Sequence, residues 1–428
     1  MAKKRDSKWI YVTLPGQIAA GPVATLVTLY ILHLGGSIMD VSYAMTIGNA
    51  VIIPASFFWG RITDMLNRRK VQILLSYVAL ALSLLGFYYT KSILGVILLY
   101  GFFIFATAAN GTPLTLMVME NYPKHKWSSV FSRLQMVSGV GATVGFVIAA
   151  IVTNFVSLDL LLLVLMTAAI AAVVLTARLV REPSQSAKEE TLLDGSIYMV
   201  TRVIIAPFAM LLTTKTSTIM NMINIGAVRH WKENYVSVIY AASFVFFLGT
   251  GLFNTMYPAG LSQVGLGDKA VFLVLFVGLL VQTVVFNFAG RFMENRPRMH
   301  IIHQSVKLRG VCYALIGVTF VALSYGEGSG AGMVGFFLAA NMVLYLMAAG
   351  LAFSLYYATS YAMIFETINN MDRGKALGVY AAIIGIGVLL GSLLSGYTSE
   401  YIGYWFTFAL AGVLVVASGQ MFKYAHKN

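Results

Sequence analysis

Apolar residues run in blocks along the whole chain, each about as long as a bilayer is thick. Stretches such as 71–90, 93–109 and 160–177 contain no charged residue, and short polar interruptions separate them. A helix needs about 20 apolar residues to cross a hydrocarbon core of about 30 Å. Helix is also the form such stretches must take in lipid, because an open strand edge or a bare loop would leave backbone N–H and C=O groups unpaired. The pattern predicts an all-α polytopic membrane protein with twelve transmembrane helices. In the first half they cover 11–34, 41–60, 71–90, 93–118, 129–155 and 158–179. In the second they cover 236–259, 270–290, 306–324, 332–364, 375–398 and 402–422.

Three domains follow from this spacing: a six-helix bundle over 1–180, a connector over 181–234, and a second six-helix bundle over 235–428. Within the connector, 197–212 is itself apolar, but it carries Arg202 and Pro207 and is short for a crossing. An extra crossing would also put two related loops on opposite faces. The segment is therefore expected to lie on the membrane surface as an amphipathic helix, behind a flexible polar run at 182–190.

Composition agrees with the pattern. Of the 428 residues, 59% are hydrophobic and only 11% charged, against roughly 25% charged in soluble chains. The net charge is +13, yet its distribution argues against a nucleic-acid partner. Of the 29 Lys and Arg, all but Lys91 and Lys269 fall on one side when the loops alternate. That bias marks the cytoplasmic side, where both termini lie, and the excess charge meets anionic lipid headgroups. No basic face interleaved with aromatics on a soluble domain exists for nucleic acid to bind. The first apolar stretch is too long for a signal core and reads as a retained helix in the plasma membrane. The single cysteine, Cys312, excludes an internal disulfide and thiolate metal chemistry.

An internal repeat is the most informative feature. Met117 and Glu120 recur as Met363 and Glu366, and at the same offset Gly139, Gly141 and Gly145 recur as Gly385, Gly387 and Gly391. A second pair matches Gly60, Asp64 and Arg68 with Gly290, Glu294 and Arg298. Small residues spaced this way let helices approach closely. Parallel repeats about an axis along the membrane normal are the architecture of one large transporter class, with solute held between the halves.

The segment Gly60-Arg61-Ile62-Thr63-Asp64-Met65-Leu66-Asn67-Arg68-Arg69 resembles the loop signature of the major facilitator superfamily at its Gly, Asp and paired basic positions. It departs at Met65, where the family keeps Arg, and at Asn67, where it keeps Gly. A degenerate copy runs from Gly290 to Arg298, and Arg373-Gly374 also resembles the family. Other subfamily marks are missing. Phe146 stands where the antiporter pattern has Pro, and the fourth helix lacks the Arg of proton-coupled drug exporters.

The resemblance implies two pseudo-symmetric six-helix bundles that work by alternating access, with a charged gate on the cytoplasmic side. Its members would be Gly60, Asp64, Arg68, Arg69, Glu120, Glu294, Arg298, Glu366 and Arg373. Asp64 would cap the eleventh helix, and Glu120 and Glu366 would pair with Arg68, Arg298 or Arg373. The candidate cavity set is polar and uncharged: Gln17, Thr25, Thr28, Asn49, Thr107, Asn110, Asn254, Tyr257, Gln282, Asn341 and Tyr345. No Asp, Glu, Lys or Arg falls near the centre of any expected helix, so a proton relay, a cofactor or a catalytic set has no residues to build on. The expected function is transport of a small neutral or amphiphilic solute by a monomer, with a proton or sodium allowed as coupling ion. A lipid or lipid-linked flippase is the alternative.

Overall fold

The computed structural model describes residues 7–66, 68–123, 127–180, 235–293, 297–325, 331–367 and 373–425. The connector, with the surface helix expected at 197–212, lies outside the described residues, as does Glu294. So do the side chains of Asp64, Glu366 and Arg373.

Among the described residues, twelve helices are long and apolar enough to span a membrane. In the first half these are α1 (Lys8–His33), α2 (Ile38–Leu66), α3 (Arg69–Tyr89), α4 (Ile93–Asn121), α5 (Trp127–Val152) and α6 (Leu158–Leu179). The second half has α7 (Tyr235–Gln263), α8 (Asp268–Met293), α9 (Arg298–Tyr325), α10, α11 (Arg373–Tyr401) and α12 (Tyr404–Ala425). Helix α10 is built of three consecutive pieces, Ala331–Tyr345, a π-helical turn at Leu346–Ala352, and Phe353–Thr367. One start differs materially from the sequence pattern. α9 begins at Arg298 rather than at 306, because its first two turns are amphipathic and dilute the apolar signal.

The halves repeat each other in detail. Helix α1 ends on Gly35 and α7 on Gly265, both at φ 82°. This left-handed conformation closes a helix at little cost only when Cβ is absent. Within each half the first helix packs on the fifth, α1 on α5 and α7 on α11, and the third on the sixth, α3 on α6 and α9 on α12. Lipid offers no hydrophobic incentive for these contacts, so close packing must supply it.

The repeated glycines provide that packing. A Cβ on Gly141 would lie 3.0 Å from Gln17 Cβ and against the Leu14 carbonyl of α1. One on Gly145 would strike the Ile18 carbonyl. In the second half a Cβ on Gly387 would sit 2.9 Å from the Phe244 carbonyl of α7, and one on Gly391 would strike that of Leu248. The leading glycine of each triplet faces the other half instead, Gly139 toward Thr283 of α8 and Gly385 toward Ile53 of α2. Each repeat thus builds its own bundle with two glycines and offers the third to its partner.

Candidate functional site

The halves meet along two seams, α2 against α11 and α5 against α8. On the first, Ser392 of α11 is the node. Its carbonyl accepts from the Ser42 hydroxyl of α2 at 2.7 Å, and its Oγ accepts from Asn49 Nδ2 at 2.9 Å. Thr255 of α7 also lies 2.9 Å from that Oγ. Gly396, one turn on, brings α11 so near that a Cβ there would meet the Ser42 side chain. On the second seam, the Thr143 and Thr283 hydroxyls are 3.4 Å apart, and the Phe146 and Phe272 rings stand 6.0 Å apart edge to face. Lys269 donates to Asn154 at 3.1 Å, and His33 Nε2 lies 3.4 Å from Asp268.

Placed along the helices, these contacts run from the middle of the molecule to the face opposite the termini. On that side the described halves are closed against each other. Lys91 lies on the same face and donates to Asp159 at 2.8 Å and to the Tyr30 hydroxyl at 3.0 Å. Those two hydrogen bonds, Asp159 first, hold its ammonium group above the ordinary lysine range. A shallow cleft of about 350 Å³ opens there between Tyr88, Tyr89, Lys91, Ser157, Asp159 and Leu160, but its charges are already paired.

On the face of the termini, Arg68, Arg69, Glu120 and Arg298 are the expected gate side chains that the structure describes. Arg69 is buried and binds Glu120 through Nη2 at 2.9 Å and Nε at 3.3 Å. Its Nη1 donates to the Thr63 carbonyl at 2.6 Å. Gln72 continues the cluster, accepting the Thr63 hydroxyl at 2.8 Å and donating to the Trp59 carbonyl at 3.2 Å. Trp59 in turn donates to the Phe105 carbonyl at 2.8 Å. Glu120 therefore pairs with Arg69, which the expectation did not name as its partner. Arg69 opens α3, only one short turn from the end of α2, so its fork can reach both α2 and α4. Arg68 and Arg298 are half-buried at their helix starts. A Cβ on Gly60 would meet nothing within 4 Å, so no close approach requires glycine there.

The candidate cavity residues divide by exposure. Asn254 is exposed on α7, and Gln17, Asn49, Thr107, Asn110 and Gln282 are half-buried. Asn49 spends its amide on the seam, and Thr107 bonds back to the Phe103 carbonyl at 2.9 Å. Thr25 and Thr28 are buried, with Thr28 bonded to the Ala24 carbonyl at 3.1 Å. Asn341 and Tyr257 are buried and Tyr345 is half-buried, and Tyr257 joins the other two inside the second half. Asn341 is fully buried and donates to Thr319 Oγ1 and the Phe337 carbonyl at 3.1 and 3.0 Å. The Tyr257 hydroxyl reaches Asn341 Oδ1 at 3.3 Å, and its ring stacks on Tyr345 at 4.9 Å.

The expectation of charge-free helix centres fails at Arg309. This residue lies twelfth in the 28-residue α9 and is 2% exposed. The guanidinium carbon stands 4.6 Å from the Phe353 ring centre, 5.1 Å from Tyr313 and 5.4 Å from Phe246. Nη1 donates to the Ala348 carbonyl, 3.3 Å away in the π-helical turn of α10. Starting α9 at 306 puts Arg309 at a helix end, where an arginine draws no notice. Extending the helix back to the Arg298 after Pro297 places it correctly. Sequence reasoning also misses Ser42, Ser392, Thr143, Thr255 and Thr283, since single hydroxyls on apolar helices carry no periodic signal.

A family model described as Major Facilitator Superfamily matches residues 14–340 and 328–425. Among solved structures, a POT family transporter in complex with a thioalcohol-conjugated peptide is similar at TM-score 0.73 and 13% identity, over 98% of this chain and 95% of that one. The nucleoside transporter NupG is similar at TM-score 0.65 and 14% identity, over 99% of this chain and 98% of that one. A D-xylose-proton symporter reaches TM-score 0.62 at 13% identity, over 97% and 95%. At such identities the likeness is one of fold. No curated protein sequence matches the chain significantly.

Proposed function

The chain belongs to the Major Facilitator Superfamily, and from that premise we propose that it carries a small neutral or amphiphilic solute across the plasma membrane by alternating access. The observation that supports the solute class is the exposed Asn254 together with the half-buried Gln17, Asn49, Thr107, Asn110 and Gln282. All six offer hydrogen bonds without charge, and the fold holds solute between the halves near the midplane. Six-helix units over 1–180 and 235–428 would rock about that site as one monomer, with both termini cytoplasmic. The closed seam on the opposite face then corresponds to an inward-facing state. Asp64, Arg68, Arg69, Glu120, Glu294, Arg298, Glu366 and Arg373 are proposed as the charged rim of the cytoplasmic opening, with Arg69 and Glu120 as a strut inside the first half. Proton or sodium coupling would act on the carboxylates of this rim. The flippase alternative finds no support in the structural relatives.

A thermal-shift screen of the purified chain against neutral solutes, followed by uptake of hits into proteoliposomes, tests the solute class. A bound ligand raises apparent stability by mass action, so at least one uncharged polar solute should stabilise the wild type and not Asn254→Leu. Stabilisation by lipids alone, with no solute uptake, would contradict the proposal.

A further inference from the structure

Arg309 carries a full charge into the interior of the second half, and among the described side chains no carboxylate pairs with it. The surrounding rings compensate part of the lost hydration, since each presents its negative face to the cation. Their faces do not replace hydrogen-bond acceptors in the guanidinium plane. The five N–H donors point outward in that plane and need acceptors of their own. The Ala348 carbonyl takes one bond from Nη1, while Nε has no partner.

Two further polar groups share this position. The Tyr313 hydroxyl interacts with both Arg309 and Thr250, yet neither it nor Thr250 Oγ1 has a partner at full hydrogen-bond distance and angle. All three residues are buried, at 2% exposure for Arg309, 0% for Tyr313 and 4% for Thr250. A buried polar group left without a partner costs about 1–3 kcal/mol, and more when charged. Arg309 Nε and the two hydroxyls keep unfilled donor capacity at one buried position, which an acceptor would fill, and the guanidinium fixes the sign of its charge. The near-complete burial limits its size.

We propose that Arg309, Tyr313 and Thr250 form a binding site for one small monoanion, either a free halide or the carboxylate of a solute. The site stands apart from the uncharged cavity set and does not depend on the solute class proposed above. Along α7, Thr250 is one turn from the exposed Asn254 on the same helix face. The site is also coupled to α10, because the carbonyl that steadies Arg309 belongs to the π-helical turn, whose Gly350 would place a Cβ 2.7 Å from Val281 of α8. π-turns inside α-helices are frequent at functional sites.

Equilibrium binding of radiolabelled chloride and, separately, radiolabelled formate to the detergent-purified full chain tests the site. Saturable binding of at least one probe is expected. Affinity should fall roughly ten- to a hundredfold in Arg309→Gln, the usual worth of a lost charge-assisted hydrogen bond. Tyr313→Phe and Thr250→Val keep the packing and should each weaken binding by a smaller factor, so the proposal remains testable if Arg309→Gln fails to fold. Chloride bound and displaced by bromide identifies a free halide site, whereas formate bound without competition from chloride identifies a solute carboxylate site. Absence of saturable binding by either probe would overturn the proposal. Equal binding by the wild type and the variants would overturn it as well, leaving Arg309 as a cation–π contact that holds α9 to α7 and α10.

Discussion

Replacing Arg69 with methionine removes the fork that joins the ends of α2 and α4, and its cost can be worked from the contacts. The Arg69 side chain is 9% exposed and that of Glu120 is 33% exposed, which puts the pair between two regimes. Fully exposed ion pairs contribute about 0–1 kcal/mol, whereas hydrogen bonds to charged groups reach about 1.5–3 kcal/mol. A coupling of about 1–2 kcal/mol between Arg69 and Glu120 is the expected middle value. The 2.6 Å bond to the Thr63 carbonyl is lost only with Arg69. Arg69→Met should therefore destabilise more than Glu120→Gln, by about 1 kcal/mol. Equilibrium unfolding in mixed micelles of the two single variants and the double variant yields the coupling as a double-mutant cycle. A coupling below about 0.3 kcal/mol, with the two single variants equal, would show an ordinary surface pair and refute the strut.

Three other outcomes follow from separate parts of the structure. Gly391→Ala should cost about 1–3 kcal/mol, because its Cβ would run into backbone atoms of α7, including Leu252 N at 2.9 Å. Gly60→Ala, with nothing within 4 Å, should be neutral or slightly stabilising, and thermal unfolding of both tests the contrast. The raised Lys91 ammonium contributes fully below the ordinary lysine value and is lost only as pH rises through the folded value. Lys91→Met should thus lower the melting temperature equally at about pH 6 and about pH 9, and a cost that disappears by pH 9 would contradict the assignment. Any proton-driven uptake should be lost in liposomes carrying the chain with Asp64, Glu120, Glu294 and Glu366 all neutralised. Undiminished uptake in that variant would place the coupling group elsewhere.

Much of the fold is legible in the sequence because lipid leaves so few options. Twelve apolar blocks can only be twelve helices, and the repeated glycine triplets already mark the paired helices, since only the absence of a Cβ lets α5 and α11 lie on the carbonyls of α1 and α7. What the repeat does not reveal is direction. Nothing in the sequence shows that Gly139 and Gly385 face the opposite half while their neighbours face their own. The polar set is legible only as a set. Asn254 and Asn341 are the same residue type on comparable helices, yet one is exposed and the other fully buried on Thr319. That difference depends on how α7 and α10 are rotated, which hydropathy does not record. Arg309 escapes notice for a simpler reason, since an arginine counts against an apolar window and pushes the apparent helix start beyond itself. The Arg69–Glu120 contact is not foreseen because proximity in the motif does not say which fork reaches across to α4.

Alternating access is the central claim, and a wedge in the closed seam tests it directly. Gly396→Val places side-chain atoms where Ser42 now stands and should prevent α11 from closing on α2. After Cys312→Ala, spin labels at Ser37 and Gln263 report the gap on the face opposite the termini, and labels at Pro123 and His300 report the gap on the other face. Double electron–electron resonance in nanodiscs should show the first distance lengthening in Gly396→Val while the second shortens. Opening of the first gap with the second distribution unchanged would mean that the two faces are not coupled, and the alternating-access account of this chain would be wrong.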